Sequence, residues 1–353
     1  MPHVPNLLER LYILRANRAP GAIYDLLGAG TLKSVALAGD LGVFEELERS
    51  PARPGELTDR LDCHADSLAL LCDFLVKTGY LDYDGETLSL SGLSERWLVG
   101  EVRLIDWFRF WDRVVFPFWD DTAADVLRTG EPEQTIYEWL GEREDRWPVA
   151  QRGFEATARL GLPSVLDTVD TTGVDRLLDV GGGHGRYTIG FCEQNSTTTA
   201  TIVDDPAALA VARENVAAAG LSDRVETRGA DILSDDLAGD ATAAGDGYDL
   251  ALVFNVVHGF DPAENRQLFD RVADALAPGG RIAVMEQFEG SGPIATARTM
   301  NAFIGLNYRV LLGGRVYPYE TVADWLIDAG FEALERSDLR RAPGVSLVSA
   351  RLP

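Results

Sequence analysis

The sequence predicts an all-α N-terminal region with a winged-helix arrangement, followed by an α/β region with a doubly wound, mainly parallel sheet. From residue 173 onward, short apolar strand-like segments alternate with helical ones, the pattern of a parallel sheet covered on both faces. A glycine cluster follows the first of these strands, and Asp84-Gly85, a strong hairpin signal, divides two short strand-like segments near residue 85. At 353 residues the chain can hold two domains.

The N-terminal region, residues 1–100, has the element order of a winged helix. Residues 56–61 and 67–79 have helical patterns, and two strand-like segments follow over 80–90. Its charge argues against DNA binding, because it carries nine basic and fifteen acidic side chains, and the second helix offers only Lys77 beside Asp73. We therefore expect this domain to mediate packing and homodimerisation.

Residues 101–160 form a helical segment that is unusually aromatic. One interpretation is a core segment that packs two domains together. The other is that some of these side chains form the wall of an apolar substrate pocket, since ligand pockets favour domain interfaces. The aromatic residues are Trp107, Phe108, Phe110, Trp111, Phe116, Phe118, Trp119, Tyr137 and Trp139.

The α/β region, residues 161–353, is expected to be the catalytic domain. Two predicted strands lie close together at the C-terminus, which indicates an antiparallel hairpin at the sheet edge. The predicted helices cover residues 186–194, 207–219, 262–277 and 319–329, and the predicted strands cover 176–180, 200–204, 225–228, 248–255, 281–287, 331–338 and 345–352.

The charge of the chain is strongly acidic, at −24 with a pI of about 4.5, and only two of its 32 basic residues are lysines. This composition resembles proteins of halophilic archaea, because a high-salt solvent screens the repulsion among so many carboxylates. A mildly acidic protein of a GC-rich bacterium is the alternative. Either origin argues against nucleic acid as a partner, since phosphate binding depends on clustered Lys and Arg.

The N-terminus lacks the basic start and apolar core of a signal peptide, and no apolar run approaches the roughly 18 residues of a membrane span. Cys63, Cys72 and Cys192 are scattered, without disulfide or zinc-like spacing. We therefore expect a cytoplasmic protein with no membrane partner and no metal.

The glycine cluster stands in LDVGGGHGRYT, where the first strand passes into a helix. In a doubly wound sheet, nucleotide-like ligands bind at such a crevice. A dinucleotide fingerprint is excluded, because Arg186 and Thr188 occupy the places of its last glycine. The order D-x-G-G-G-x-G resembles the first motif of S-adenosylmethionine methyltransferases. The residues assigned to this motif are Asp179, Gly181, Gly183 and Gly185.

Two further strand ends carry candidate cofactor ligands. Asp204 ends the second strand, where an acid can accept both ribose hydroxyl hydrogens, and Asp205 is its competitor. After the third strand, Asp231 lies where an adenine amino group would, and a simple helix or turn cap is the alternative. Its neighbour Ile232 is assigned to the same site.

His258 follows the fourth strand, at the carboxyl edge where this class of sheet keeps its sites. A histidine there could remove a proton from a hydroxyl group as a methyl group arrives; a purely structural histidine is the alternative. Asn255, which ends that strand, and Phe260, which could stack on adenine, are assigned to the cofactor site.

The ordered set DVGGGHG, VDDP, ADIL, VVHGFDPAEN, LAPGGRIAVMEQ and Gly313-Gly314 resembles the plant-type small-molecule O-methyltransferases over nearly the whole chain. The resemblance implies a Rossmann-like class I methyltransferase fold, S-adenosyl-L-methionine as cofactor and a homodimer. It also implies that His258 is the general base and that Glu286 orients it.

The chain departs from the family pattern at several positions. Gly259 and Phe260 replace an acid and a tryptophan after the histidine, and Val316 stands at a second family glutamate. Either Glu286 suffices, or Glu320 compensates, or the reaction differs. A family methionine that lines the substrate site falls near Ala158.

Three functions therefore compete. The first is methyl transfer to a hydroxyl group of an aromatic or other small molecule. The second is a non-methylating relative with the same cofactor, acting as a decarboxylase, a hydroxylase or a rearrangement catalyst. The third, a winged-helix regulator that senses the cofactor, is disfavoured by the acidic second helix.

Overall fold

The computed structural model describes residues 6–239, 247–292, 294–340, 342 and 344–353. The chain divides into two compact units, Met1–Phe116 and Pro117–Pro353. The division falls inside the segment that the sequence analysis assigned to residues 101–160, and the functional boundaries at residues 100 and 160 stay predictions.

The first unit is mainly helical, with one small hairpin. Its helices are α1 (Leu7–Glu9), α2 (Ile23–Asp40), α3 (Val43–Arg49), α4 (Pro54–Leu61), α5 (Ala65–Lys77) and α6 (Leu104–Phe110), with π-helical turns at Arg10–Arg15, Ser94–Val99 and Trp111–Val115. Strands β1 (Leu81–Tyr83) and β2 (Leu88–Leu90) pair antiparallel. The predicted order of helix, helix and hairpin is present, while the dimerising role stays a prediction.

The hairpin shows why its turn residues matter. The Asp84 carboxylate accepts the backbone N–H groups of Glu86 and Thr87, each at 2.8 Å, and Gly85 adopts a φ of +98°. Residues with a side chain rarely adopt that backbone conformation, so glycine suits the position. The turn aligns Leu81 with Leu90, and both side chains are buried in the core of this unit.

The second unit is an α/β domain. Its helices are α7 (Phe116–Thr129, which begins at the division), α8 (Ile136–Gly141), α9 (Arg146–Thr168), α10 (Arg186–Gln194), α11 (Leu209–Ala218), α12 (Pro262–Ala275), α13 (Ala295–Leu312) and α14 (Tyr319–Asp328). Its strands are β3 (Arg176–Val180), β4 (Thr199–Asp204), β5 (Val225–Gly229), β6 (Tyr248–Phe254), β7 (Leu276–Gln287), β8 (Glu332–Asp338) and β9 (Val345–Arg351).

The seven strands form one sheet in the order β5-β4-β3-β6-β7-β9-β8. Strands β3 to β7 are parallel, and β9 runs antiparallel to both of its neighbours, β7 and β8. The predicted doubly wound sheet and C-terminal hairpin are therefore confirmed. The strand order reverses at β3, so a crevice opens at the carboxyl ends of β3, β4 and β6.

The central strands are buried on both faces. Alternate residues of β3 enter two different core clusters, Leu178 and Val180 on one face and Leu177 on the other. Strand β6 repeats the pattern with Val253 and Leu252. Burial on both faces explains why these strands read as continuous apolar runs rather than as alternating sequences.

Helix α13 is the main element that the sequence analysis did not predict. It spans 18 residues and exposes several large apolar side chains, including Met300, Phe303 and Leu306. Its apolar residues therefore do not form one clean buried stripe, and Gly305 interrupts it.

No single helix within the described ranges is long and apolar enough to span a bilayer. Only α2 and α3 taken together, bent by 61°, reach the required length and composition.

Candidate active site

The glycine loop between β3 and α10 has several positions whose backbone conformation or close surroundings require glycine. Gly181 and Gly185 both have a φ of +70°, and a Cβ on Gly181 would lie 2.7 Å from Val256 Cγ2. The Gly181 N–H donates to the Val203 carbonyl at 2.8 Å, which fixes the loop to the end of β4. Gly183, with a φ of +46°, also lies in the left-handed region. The loop therefore brings bare backbone to the crevice.

Asp204 ends β4 beside this loop. Its Oδ2 accepts the Gly183 N–H at 2.8 Å, and its Oδ1 accepts the Asp205 N–H at 2.7 Å. Burial raises the pKa of Asp204 to about 6, although these two backbone donors act in the opposite direction. The exposed Asp205 carboxylate instead accepts the Ala207 N–H at 2.7 Å, within its own turn. Asp204, rather than Asp205, therefore faces the loop.

Asp179 lies beneath the loop and is only 2% exposed. Its Oδ2 accepts the Thr188 hydroxyl at 2.5 Å, and a Cβ on Gly182 would lie 2.6 Å from its Cγ. Burial raises the pKa of Asp179 to about 7; the Thr188 hydrogen bond opposes this shift and the Asp204 charge adds to it. Asp179 and Asp204, both with raised pKa values, thus lie next to the same loop.

Asp231 follows β5, as the sequence analysis placed it. Its carboxylate accepts the Leu233 N–H at 2.9 Å and the Ser234 hydroxyl at 2.8 Å, bonds that lower its pKa. The capping interpretation therefore describes its present bonds, and adenine binding stays a prediction. Ile232, partly buried, packs against the core of this unit.

Asn255 and Phe260 lie on either side of the predicted base. Asn255 has a φ of +56°, a conformation that asparagine tolerates better than most residues, and its N–H donates to the Met285 carbonyl at 2.9 Å. Phe260 is partly buried against the core, and its carbonyl accepts the Tyr317 hydroxyl at 2.7 Å. The contacts of both residues with a cofactor stay predictions.

His258 and Glu286 are joined in a buried pair at the ends of β6 and β7. His258 is 6% exposed and Glu286 is 2% exposed. The imidazole Nδ1 lies 2.9 Å from Glu286 Oε1 and 2.8 Å from Oε2, and the His258 backbone N–H donates to Oε2 at 3.0 Å. Because an ionised carboxylate only accepts, Nδ1 carries the hydrogen. The lone pair of Nε2 is therefore available to accept a proton.

The Gly313-Gly314 turn supports the backbone of this histidine. The Arg315 N–H donates to the His258 carbonyl at 3.0 Å. A Cβ on Gly314 would lie 2.0 Å from that carbonyl oxygen, so any side chain at this position would collide with it. The motif thus has a steric cause: only glycine lets the turn approach His258.

Because Val316 replaces the second family glutamate, Glu286 is the carboxylate that bonds to His258 in the described part of the chain. The half-buried Val316 packs near Gly305 of α13, and Glu320 lies exposed in the first turn of α14. Within the described part of the chain, no hydrogen bond or ion pair joins Glu320 to His258, which argues against the compensation hypothesis. Ala158, near which the family methionine falls, is buried in a core cluster.

The structure adds residues around the site that the sequence analysis did not single out. The Tyr308 ring stacks on the His258 imidazole, with centroids 3.6 Å apart and planes within 2°, and its hydroxyl donates to Gln287 Oε1 at 2.6 Å. Trp147 and Gln151 of α9 carry buried polar atoms without partners. The sequence offers one weak signal for Trp147 and Gln151: they are spaced one helical turn apart.

The aromatic segment divides between the two units. Trp107, Phe110 and Trp111 contact one another in the first unit. In the second unit, Trp119 donates from Nε1 to Asn307 Oδ1 at 2.9 Å and contacts Phe303.

Tyr137 of α8 is 43% exposed. Burial of part of the side chain raises its pKa, and the charges of Asp204 and Glu286 raise it further. It also stacks on Trp147, with planes within 2° and centroids 5.9 Å apart.

The family model of the O-methyltransferase domain matches residues 128–332. The chain belongs to this family. It is 28% identical to the 3-hydroxy-5-methyl-1-naphthoate 3-O-methyltransferase of Streptomyces sahachiroi, over 88% of this chain and 89% of that protein. It is 25% identical to the L-tyrosine C(3)-methyltransferase of Streptomyces lavendulae, over 90% and 88%.

Human N-acetylserotonin methyltransferase, solved in complex with S-adenosylmethionine, has the same fold. The TM-score is 0.78 at 19% identity, over 100% of this chain and 99% of that one. The predicted class I methyltransferase fold is thereby confirmed. The chain is an S-adenosylmethionine-dependent O-methyltransferase.

The glycine loop fits this cofactor. Gly181 and Gly183 present backbone in left-handed conformations, which lets a ligand approach closely, and the Asp204 carboxylate lies beside them. Gln151 adds a buried amide oxygen with no partner, next to Gly183. The residues present therefore suit a ligand with hydroxyl and ammonium donors.

Proposed function

We propose that the enzyme methylates a hydroxyl group of a small aromatic molecule, with His258 as general base and Glu286 as the residue that orients it. The observation that carries the proposal is the buried Nδ1–carboxylate pair, with both oxygens of Glu286 within 2.9 Å of Nδ1. It leaves Nε2 as the proton acceptor at the sheet edge, next to the glycine loop.

His258 would take the proton of the acceptor hydroxyl as that oxygen becomes nucleophilic. The resulting imidazolium would be stabilised by the Glu286 carboxylate, which also holds the ring in one tautomer. Because neither side chain is appreciably exposed, their interaction is poorly screened by water. The absence of the second family glutamate is thus no obstacle, since Glu286 alone engages Nδ1 through both oxygens.

Asp204 would hold the ribose hydroxyls, and the loop of Gly181, Gly183 and Gly185 would line the rest of the cofactor. Bound S-adenosylmethionine supplies an activated methyl group on its sulfonium. The side chains of this chain then contribute mainly orientation of the acceptor hydroxyl and removal of its proton.

The aromatic side chains of helix α13 support the proposal that the acceptor is aromatic. The helix carries Tyr308 on the His258 ring, and Phe303 in contact with Trp119. Phe303 is 37% exposed, so an aromatic surface is available in this unit. Aromatic rings stack favourably on such surfaces. The relatives whose names specify a naphthoate and a tyrosine agree with this acceptor class.

Incubation with methyl-labelled S-adenosylmethionine and a panel of phenols, indoles and quinols tests the proposal. We expect label in an alkali-stable ether of a phenolic oxygen, and loss of most labelling in His258→Ala. The corresponding methyl ethers serve as controls and should remain unlabelled. Labelling on carbon or nitrogen, or equal labelling of the ethers, would contradict hydroxyl methylation.

We further propose that the enzyme is a cytoplasmic homodimer joined through residues 1–100. Several apolar side chains of residues 7–15 are exposed, among them Leu8 at 75% and Leu11 at 47%. The acidic, lysine-poor composition supports function at high salt, as in a halophilic archaeon, and opposes nucleic acid or anionic membranes as partners.

A further inference from the structure

Strand order in the sheet assigns each part of the cofactor to a strand end. Asp231 follows β5, Asp204 ends β4, the glycine loop follows β3, and His258 follows β6, in the same order as these strands lie in the sheet. With adenine near β5 and ribose at β4, the methionine end of S-adenosylmethionine must run along the glycine loop towards β6. That end carries an ammonium and a carboxylate, and the proposed site so far offers no side chain to either.

Gln151 lies at this point of the crevice. Its side chain is 4% exposed, and a Cβ on Gly183 would lie 2.8 Å from its Oε1. The amide therefore lies against Gly183, where any side chain would collide with it. Oε1 has no hydrogen-bond partner, and the Gly183 N–H is directed to Asp204 instead. A buried amide oxygen left without a donor is unfavourable, so it marks a place for a ligand donor.

Trp147 lies one helical turn before Gln151 on α9. Its Nε1 is also buried without a partner, so the same helix offers one free donor and one free acceptor. Its ring stacks on Tyr137, with centroids 5.9 Å apart. The two partnerless atoms thus lie one helical turn apart on α9, with Gln151 beside Gly183.

We propose that Gln151 and Trp147 bind the amino-acid end of S-adenosylmethionine, with Gln151 Oε1 accepting from the ammonium and Trp147 Nε1 donating to the carboxylate. The inference rests on the proposed function, because it takes the ribose to be at Asp204. It assigns Gln151 and Trp147 to discrimination between the whole cofactor and its adenosine part. Neither residue touches the His258–Glu286 pair in any described contact, so neither is expected to move the proton.

Isothermal titration with two ligands tests this assignment. S-Adenosylhomocysteine carries the amino-acid end, and 5′-methylthioadenosine lacks it but keeps the nucleoside and the thioether. For Gln151→Met we expect the Kd of S-adenosylhomocysteine to rise about 10-fold, the scale of a lost hydrogen bond to a charged group, with the Kd of 5′-methylthioadenosine within about 2-fold. Trp147→Phe keeps an aromatic ring against Tyr137 but removes the Nε1 donor, and should show a loss of the same selectivity.

Asp204→Ala is the matched control, because loss of the ribose contact should weaken both ligands by the same factor. Thermal melting of Gln151→Met should show no loss of stability, since the substitution removes an unsatisfied buried group. An equal loss for both ligands in Gln151→Met would mean that the loop was displaced and would overturn the assignment. Failure of the unmodified enzyme to bind either ligand would instead overturn the cofactor site itself.

Discussion

The Tyr308 ring lies flat on the imidazole of His258, with 3.6 Å between the ring centroids and 2° between the planes. Two other contacts fix the pair: Glu286 holds Nδ1, and Gln287 Oε1 accepts the Tyr308 hydroxyl at 2.6 Å. Glu286 and Gln287 are neighbours at the end of β7, so one strand end holds both rings. The histidine is thus held by a carboxylate at its edge and an aromatic face on its plane.

This arrangement predicts a positioning role for Tyr308. Tyr308→Leu removes the ring and should lower kcat about 10-fold, since aromatic pairs contribute about 0.5–1.5 kcal/mol beyond area burial. Tyr308→Phe keeps the stacking and should stay within about 3-fold. Steady-state kinetics distinguish the role: a purely structural contact would lower the melting temperature of Tyr308→Leu without this rescue of kcat by phenylalanine.

The His258–Glu286 pair predicts a strongly non-additive mutant cycle. His258→Ala should reduce turnover by roughly 10²–10⁴, the usual contribution of a general base, with little change in cofactor affinity. Glu286→Gln should cost less, because the amide oxygen still accepts from Nδ1 but carries no charge to balance the imidazolium. The double variant should resemble His258→Ala alone, since the two side chains act as a unit.

His64→Ala, an exposed histidine of the first unit, is the control for this cycle. Full turnover in His258→Ala at neutral pH would show that the bound acceptor needs no protein base.

The sequence was informative where a local pattern sufficed. Strands buried on both faces, such as β3 and β6, appear as apolar runs, and the residues that follow parallel strands meet at one edge of the sheet. That rule predicted that Asp204 and His258 lie at one edge of the sheet, whereas Glu286 was assigned from the family resemblance.

The unpredicted part of the site depends on tertiary contacts. Tyr308 belongs to α13, whose apolar residues do not form one buried face, so no periodic pattern indicated the helix. The partnerless atoms of Gln151 and Trp147 are detectable only once α9 is placed beside the glycine loop. A glutamine within a helix carries no local signature of a ligand site.

The exposed apolar side chains of residues 7–15 predict a dimer interface. Leu8→Glu should shift the enzyme towards the monomer, because burying an unpaired charge in an apolar interface is unfavourable. Leu127→Glu, at a leucine 69% exposed in the second unit, is the matched control for Leu8 at 75%. Light scattering in high salt provides the measurement, and a monomeric unmodified enzyme at micromolar concentration would refute the interface.

The raised pKa of Asp204 predicts that cofactor affinity depends on pH. The carboxylate must be ionised to accept both ribose hydroxyls, and its pKa in the free enzyme is about 6. The Kd of S-adenosylhomocysteine should therefore be flat at higher pH and rise as pH falls below about 6, by up to about 30-fold, the loss expected when the carboxylate no longer carries its charge. Asp204→Ala should bind about 2 kcal/mol more weakly and lose that dependence, whereas Asp205→Ala should keep both affinity and pH dependence.

Asp179 tests how much a buried charge beneath the glycine loop costs in stability. Its pKa is raised from 3.8 to about 7 in the fold. Between these values the unfolded chain loses the proton while the folded chain keeps it, so the free energy of unfolding falls as pH rises through this window. Above about pH 7 the buried carboxylate is charged and the full penalty applies.

Asp179→Asn, whose amide oxygen can still accept from Thr188, should therefore melt about 3 °C or more above the unmodified protein near pH 8, and the difference should shrink towards pH 4. Asp170→Asn is the control of opposite sign, because hydrogen bonds at Thr172 and the charge of Arg281 lower the pKa of Asp170, and loss of its charge should not stabilise the fold. Differential scanning calorimetry at several pH values measures both variants. An Asp179→Asn protein that is less stable at pH 8 than at pH 4, relative to the unmodified protein, would show that the fold requires this charge.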